Sequence, residues 1–214
     1  MTQVRQFFRA RFSKQGDVRF ISHHDLLRFF RRALRRAGLP LSMSQGYNPR
    51  PRISLPVPLS TGFKGLNEVL DFELCEWRRP ESVLSRLSEV LPEGLALKTL
   101  RTLPAKPGRC ANHFSYRVPL LGESHLAQKN LQRLLKTEEI MVQRKRKGRI
   151  KEINVAEYLQ GARVRNGSLH FSLKMTDQGT ARPEEILKVL GLKPGRNYYK
   201  SAIERTRVSL SSSL

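Results

Sequence analysis

Between Ser22 and Gly38 the chain sets apolar side chains against arginines at helical spacing, and this two-sided stretch limits the folds open to everything around it. On a 3.6-residue wheel Leu26, Leu27, Phe30, Ala33, Leu34 and Ala37 fall on one arc. Arg28, Arg31, Arg32 and Arg35 fall opposite, with Arg36 at the edge. Ser22 is placed to cap the first turn, with Asp25 three residues on as its reciprocal partner. Gly38 followed by Pro40 ends the helix. Such a helix can be laid on a core by one face only. The other face gathers guanidinium groups that repel one another, with Asp25 the one acid among them, so solvent or a polyanion belongs against it.

The flanking segments supply a sheet for the apolar arc. Residues 4–12 alternate as a strand, with Phe8, Ala10 and Phe12 on one side and Arg5, Arg9 and Arg11 on the other. Residues 41–44 predict a further strand. Residues 45–52 form a loop, because Gly46, Pro49 and Pro51 forbid a regular element. Residues 53–59 make at best an edge strand, and 68–74 a cleaner one. Pro80 opens a second helix, and 95–103 return as a strand. The order β-α-β-β-α-β is the ferredoxin-like one. Residues 104–112 read as a linker, and the plan then repeats. A strand at 114–120 leads to a helix at 123–136 with Leu126, Leu131, Leu134 and Leu135 inward. A basic hairpin spans 140–153, and strands at 162–165 and 169–175 pair across Asn166-Gly167. Pro183 opens the last helix, and 201–210 the last strand. Arg79-Pro80-Glu81 is echoed by Arg182-Pro183-Glu184, and Ser22-His23 by Ser124-His125, at nearly equal spacing. The expected architecture is α+β: two tandem ferredoxin-like halves arising by internal duplication. Residues 1–103 carry the basic helix and the Pro/Arg loop, 104–112 link, and 113–214 carry the basic hairpin.

Forty Lys and Arg against 18 Asp and Glu give 214 residues a formal charge of +22. The excess falls in both halves, so this is no neutral enzyme with a basic tail. Nucleic acid is the first partner such a balance implies. The loop adds detail: Tyr47 can stack on a base, Asn48 can read a base edge, and Arg50 and Arg52 can fork phosphates. With Lys14 and the arginines of the helix (Arg28, Arg31, Arg32, Arg35, Arg36), these are the expected RNA contacts. The hairpin contributes Arg144, Lys145, Arg146, Lys147, Arg149 and Lys151 as a finger. Structured RNA such as ribosomal or transfer RNA is favoured over duplex DNA, because no groove-reading module is evident.

Catalytic signals are sparse. His23, near a tyrosine and arginines, could serve as general base toward a ribose hydroxyl, and Asp71 is a lone carboxylate within an apolar strand. A metal-free endoribonuclease or RNA-modifying enzyme is therefore the rival to a non-enzymatic RNA-binding protein that assists ribosome or RNA maturation. The sequence has no phosphate-binding Gly-Lys-Ser/Thr loop and no zinc spacing. Cys75 and Cys110 form neither a disulfide framework nor a cluster motif. No cofactor and no metal are expected. Without an apolar span or signal-like segment, the expected location is the cytoplasm, with no membrane partner.

The motif set also resembles a known family. It comprises Phe12-x-Lys14-x-Gly16, Phe20-x-Ser22-His23-x-Asp25-Leu26-x-Arg28, Arg35-Arg36-Ala37-x-Leu39-Pro40, Ser44-x-Gly46-Tyr47-x-Pro49-x-Pro51, Pro58-Leu59-x-x-Gly62 and Glu68-x-x-Asp71. These resemble the radical SAM-linked (radical SAM-associated) family of uncharacterised bacterial proteins, in its stand-alone form. Tyr47 stands where phenylalanine is common. The resemblance implies a neighbouring radical SAM protein as a partner, with this chain as its adaptor, and no settled activity. The fold plan is more distantly similar to paired ferredoxin-like RNA proteins.

Overall fold

Alternation at the start of the chain produces strand β1 (Gln6–Lys14), whose Phe8, Ala10 and Phe12 are buried on one face. Helix α1 (His23–Arg36) lays Leu26, Phe30, Ala33 and Leu34 on that face, with the Phe12 and Phe30 rings meeting edge to face at 5.0 Å. Ser22 caps it as expected: its Oγ accepts from Asp25 N–H at 3.2 Å and donates to the Asp25 carboxylate at 2.7 Å. The computed structural model describes residues 5–106, 111–146, 148–192 and 202–210. Cys110 and Lys147 lie outside the described residues, as do the side chains of Arg146 and Arg149.

The chain divides into two compact units, Met1–Cys110 with Leu210–Leu214, and Ala111–Ser209. In the first, β2 (Ile53–Ser54), β3 (Lys64–Leu74), α2 (Pro80–Glu89) and β4 (Leu95–Leu103) follow α1. Its strands pair antiparallel in the order β4-β1-β3-β2. Phe8 faces Phe72 across the β1–β3 ladder, their rings stacked at 5.3 Å. In the second unit the elements are β5 (Ala111–Pro119), α3 (Ser124–Leu134), β6 (Met141–Arg146), β7 (Arg149–Asn154), β8 (Leu159–Arg165), β9 (Ser168–Lys174), α4 (Pro183–Val189) and β10 (Glu204–Leu210). Its sheet runs β10-β5-β9-β8, while β6 and β7, among the described residues, form a separate two-stranded sheet. Leaving out the β6–β7 hairpin, both units order their strands fourth, first, third, second. The protein is α+β, with four helices among the described residues.

Two expectations are corrected. Residues 41–44 form no strand: Leu41 bridges Leu74 and Met43 bridges Pro51, each as a single pair. Ser42 divides its backbone instead, donating to Glu73 O and accepting from Arg52 N–H, both at 2.8 Å. Helix α3 buries Ala127, Leu131 and Leu134, one stripe at helical spacing, while Leu126 and Leu135 are exposed. Leu135 already stands past the last helical residue.

Candidate nucleic-acid interface

The outer face of α1 becomes one wall of a cleft of about 690 Å³. Arg28, Arg31, Arg32 and Arg35 line it together with Arg78, and Leu39, Pro40, Leu41, Met43 and Pro51 supply apolar surface. Arg32 and Arg35 are exposed and meet no carboxylate among the described residues. Arg28 approaches Asp25 at 3.4 Å with both groups largely in solvent, a weak contact by its geometry. The Nε of Arg31 is buried with no acceptor. Glu76, also in the lining, is held by Arg78 at 2.6 Å. Arg36 is different: though exposed, its guanidinium donates to Val90 O at the end of α2, so it ties two helices together.

The loop at 45–52 is closed at its base. Ser44 N–H donates to Arg50 O at 2.8 Å, and Arg50 N–H donates to Ser44 Oγ at 2.9 Å. Its tip projects fully, and Tyr47 is 101% exposed, as free for stacking as an aromatic ring can be. Asn48 and Arg50 are exposed too. Arg52 bends back instead, its Nε 3.3 Å from Met43 O and 3.7 Å from buried Glu73. Pro51 belongs both to the α1 cleft and to a second cleft, of about 400 Å³, lined by Arg50, Arg52, Lys106 and Glu73.

Several expected contacts are structural. Lys14 is 1% exposed and its Nζ donates to Ile21 O at 2.8 Å, so it cannot reach a polyanion outside the fold. Arg144 leaves the finger: its guanidinium makes a bidentate pair with Glu185 at 2.8 and 2.7 Å and also donates to Thr180 O. The Glu185 hydrogen bonds hold its pKa above the ordinary arginine value, against the opposing effect of burial. Lys145 and Lys151 stay exposed on the hairpin. The expectations for Arg146, Lys147 and Arg149 fall on side chains outside the described residues.

The catalytic candidates fare as follows. Asp71 is buried opposite Arg9 in the β1–β3 ladder and accepts from Nε at 2.7 Å and Nη2 at 2.9 Å. Both of its oxygens are engaged by one guanidinium, which explains a carboxylate inside a strand without any chemistry. His23 lines a void of about 10 Å³ with Lys14 and Glu68, space on the scale of one water and far below a ribose. Sequence reading missed Arg78 and the apolar floor of the cleft, because both are brought to α1 only by chain reversal. No group of three or more His, Cys, Asp or Glu side chains among the described residues could hold a metal ion. No described helix is long and apolar enough to cross a membrane.

Fold and cleft define a strongly basic α+β protein with an arginine-walled groove beside an exposed aromatic loop. The chain belongs to the family described as "uncharacterized protein conserved in bacteria" (DUF2344), whose profile matches residues 8–183. It is similar to the crystal structure of an unknown protein from Galdieria sulphuraria, at 12% identity and a TM-score of 0.28, over 97% of this chain and 99% of that one. No curated protein sequence matches it.

Proposed function

We propose that this protein binds structured RNA at unpaired nucleotides, through the α1 cleft and the loop at 45–52, as a non-enzymatic accessory to ribosome or RNA maturation in the cytoplasm. One observation carries the reading: the four arginines of α1 share a cleft with an apolar floor. A wall of guanidiniums alone would suit any polyanion. Leu41, Met43 and Pro51 beside it suit a ligand that alternates phosphates with flat, partly apolar bases, as a single strand does. Tyr47 then offers a further stacking face. The shared strand order of the two units supports duplicated ferredoxin-like halves, a plan other RNA proteins use, though that link is analogy only. The resemblance to radical SAM-linked proteins adds a radical SAM enzyme as the partner to which the bound RNA is presented, and co-purification of the two proteins from cells tests that part. Cleavage through His23 or Asp71 is not part of this reading, since Asp71 is enclosed with Arg9 and the void beside His23 has room for no more than a water.

The test is the salt dependence of binding to a single-stranded RNA. Arg28→Gln, Arg32→Gln and Arg35→Gln together should reduce the slope of log affinity against log salt by about 2, three lost phosphate contacts at about 0.7 each. Circular dichroism should stay unchanged, because the three side chains are exposed. A folded triple variant with the wild-type slope rejects the cleft as the RNA surface.

A further inference from the structure

The second unit carries a separate basic feature on the side of its sheet away from the helices. Tyr116, Val118, Leu169 and Phe171 are buried, and α3 packs on β8 and β9. Strand alternation sends the intervening residues to the opposite face. The registers line them up in rows across three strands. One row is Arg117, His170, Arg163, and the next is Ser115, Ser172, Gly161. Arg163, His170, Ser115, Ser172 and Gly161, with Gln160 and Thr206, border a shallow hollow of about 510 Å³, and Arg117 stands beside it in the row.

Cations set directly across strands destabilise a sheet unless something neutralises them. Glu204 on β10 does this for Arg117, accepting from its Nε at 2.7 Å. Arg163 is exposed and has no carboxylate partner among the described residues. His170 is pushed down from its usual pKa, first by partial burial and then by Arg163, Arg117 and Arg165. The groups facing it are Ser115 and Arg117 from β5, Arg163 and Arg165 from β8, and Ser172 on its own strand; from β10 come Thr206 and, through Arg117, Glu204. The Ser115 and Ser172 hydroxyls lie 3.1 Å apart, so one donates to the other and the second keeps a hydrogen for a ligand. The row position of Gly161 is open: a Cβ there would meet nothing within 4 Å.

We propose that this face is an oxyanion site for a phosphate group, gripped by Arg163 and His170 and completed by a serine hydroxyl. Guanidinium, imidazole and hydroxyls are the donors that phosphates take, and the lining includes no carboxylate to repel one. The phosphate can belong to a phosphodiester chain or to a small phosphate ester. The site stands independently of the α1 cleft, since no residue is shared between them.

The whole 214-residue chain provides the test, with the ring signals of His170 followed by NMR across pH. Inorganic phosphate and a short oligouridylate are added in separate series against chloride of equal ionic strength. Bound phosphate should raise the pH at which His170 titrates, because an anion favours the imidazolium. Arg163→Gln should weaken that response about tenfold, the worth of a charge-assisted hydrogen bond. Gly161→Asp places a carboxylate in the open position and should abolish it with near-UV circular dichroism unchanged. The Arg28, Arg32, Arg35 triple variant should leave it intact, which separates this site from the RNA cleft. A response to both additives assigns the site to phosphodiesters, and a response to phosphate alone assigns it to small esters. A His170 titration moved by neither additive, or moved equally in the Arg163→Gln and Gly161→Asp variants, overturns the proposal.

Discussion

Replacing Asp71 by alanine separates a structural acid from a chemical one. The carboxylate is 4% exposed and receives two hydrogen bonds from Arg9, itself 7% exposed. Removing it leaves a guanidinium enclosed in the sheet without a counter-charge. Breaking a buried pair from one side costs about 3–5 kcal/mol. That is a large part of the roughly 5–15 kcal/mol that holds a domain folded. At about 2 kcal/mol per molar urea, the middle of the usual range, the unfolding midpoint should fall by roughly 2 M. The double variant Arg9→Met with Asp71→Leu removes both charges and should recover most of the loss, since the desolvation penalty disappears with them. Urea titrations followed by far-UV circular dichroism on the wild type, Arg9→Met, Asp71→Leu and the double variant give the coupling directly. An Asp71→Ala midpoint close to the wild type would refute the reasoning. So would a double variant no more stable than the weaker single one. A folded Asp71→Ala protein that had lost RNA binding would return Asp71 to the functional set.

The bidentate pair between Arg144 and Glu185 fixes the β6–β7 hairpin to the start of α4. Glu185→Gln should cost about 1–3 kcal/mol and expose the hairpin to trypsin at Lys145 and Lys151, with cleavage rates as the measurement. The depressed pKa of His170 makes stability depend on pH with a definite sign. The unfolded chain takes its proton first, near 6.5, so stability should fall as pH drops below that value toward the lower folded pKa, and then level off. His170→Asn should flatten that limb in thermal melts at graded pH.

Much of this was legible in the chain because local rules agreed with one another. The Ser22 cap, the apolar arc of α1 and the Asn166-Gly167 turn each predicted what the structure has. The turn even encoded the basic row of the second sheet, since Arg163 and His170 stand equally far from it on paired strands. Counting registers outward from the turn would have found that row, whereas counting charges along the chain did not. What could not be read was which cation meets which anion. Arg9 and Asp71 are joined by a ladder between strands far apart in sequence, and Arg144 and Glu185 by hairpin packing. Lys14 resembled any strand-end lysine until the turn preceding α1 folded its carbonyl over it. The missing strand at 41–44 failed for a related reason: Ser42 takes partners on both sides, so no continuous ladder forms on either.

This sorting bears on what a charge of +22 means. An ion pair removes one charge of each sign from the surface, so the total is unchanged but its distribution is not. Asp71, Glu73, Glu185 and Glu204 are all buried, and each lies against at least one arginine of a strand or of the loop base. Acids drawn inside in this way cannot screen the exterior, and the exposed surface is more one-sided than the composition suggests. Several of the arginines left over are grouped. Arg28, Arg32 and Arg35 share one cleft, and Arg163 and Arg165 lie together on the second sheet. Mutual repulsion would favour scattering them, as an ordinary solvated surface does. Clusters left without carboxylates of the same molecule are the arrangement that the proposed phosphate ligands would relieve, since each bound phosphate offsets a repulsion the fold itself leaves standing.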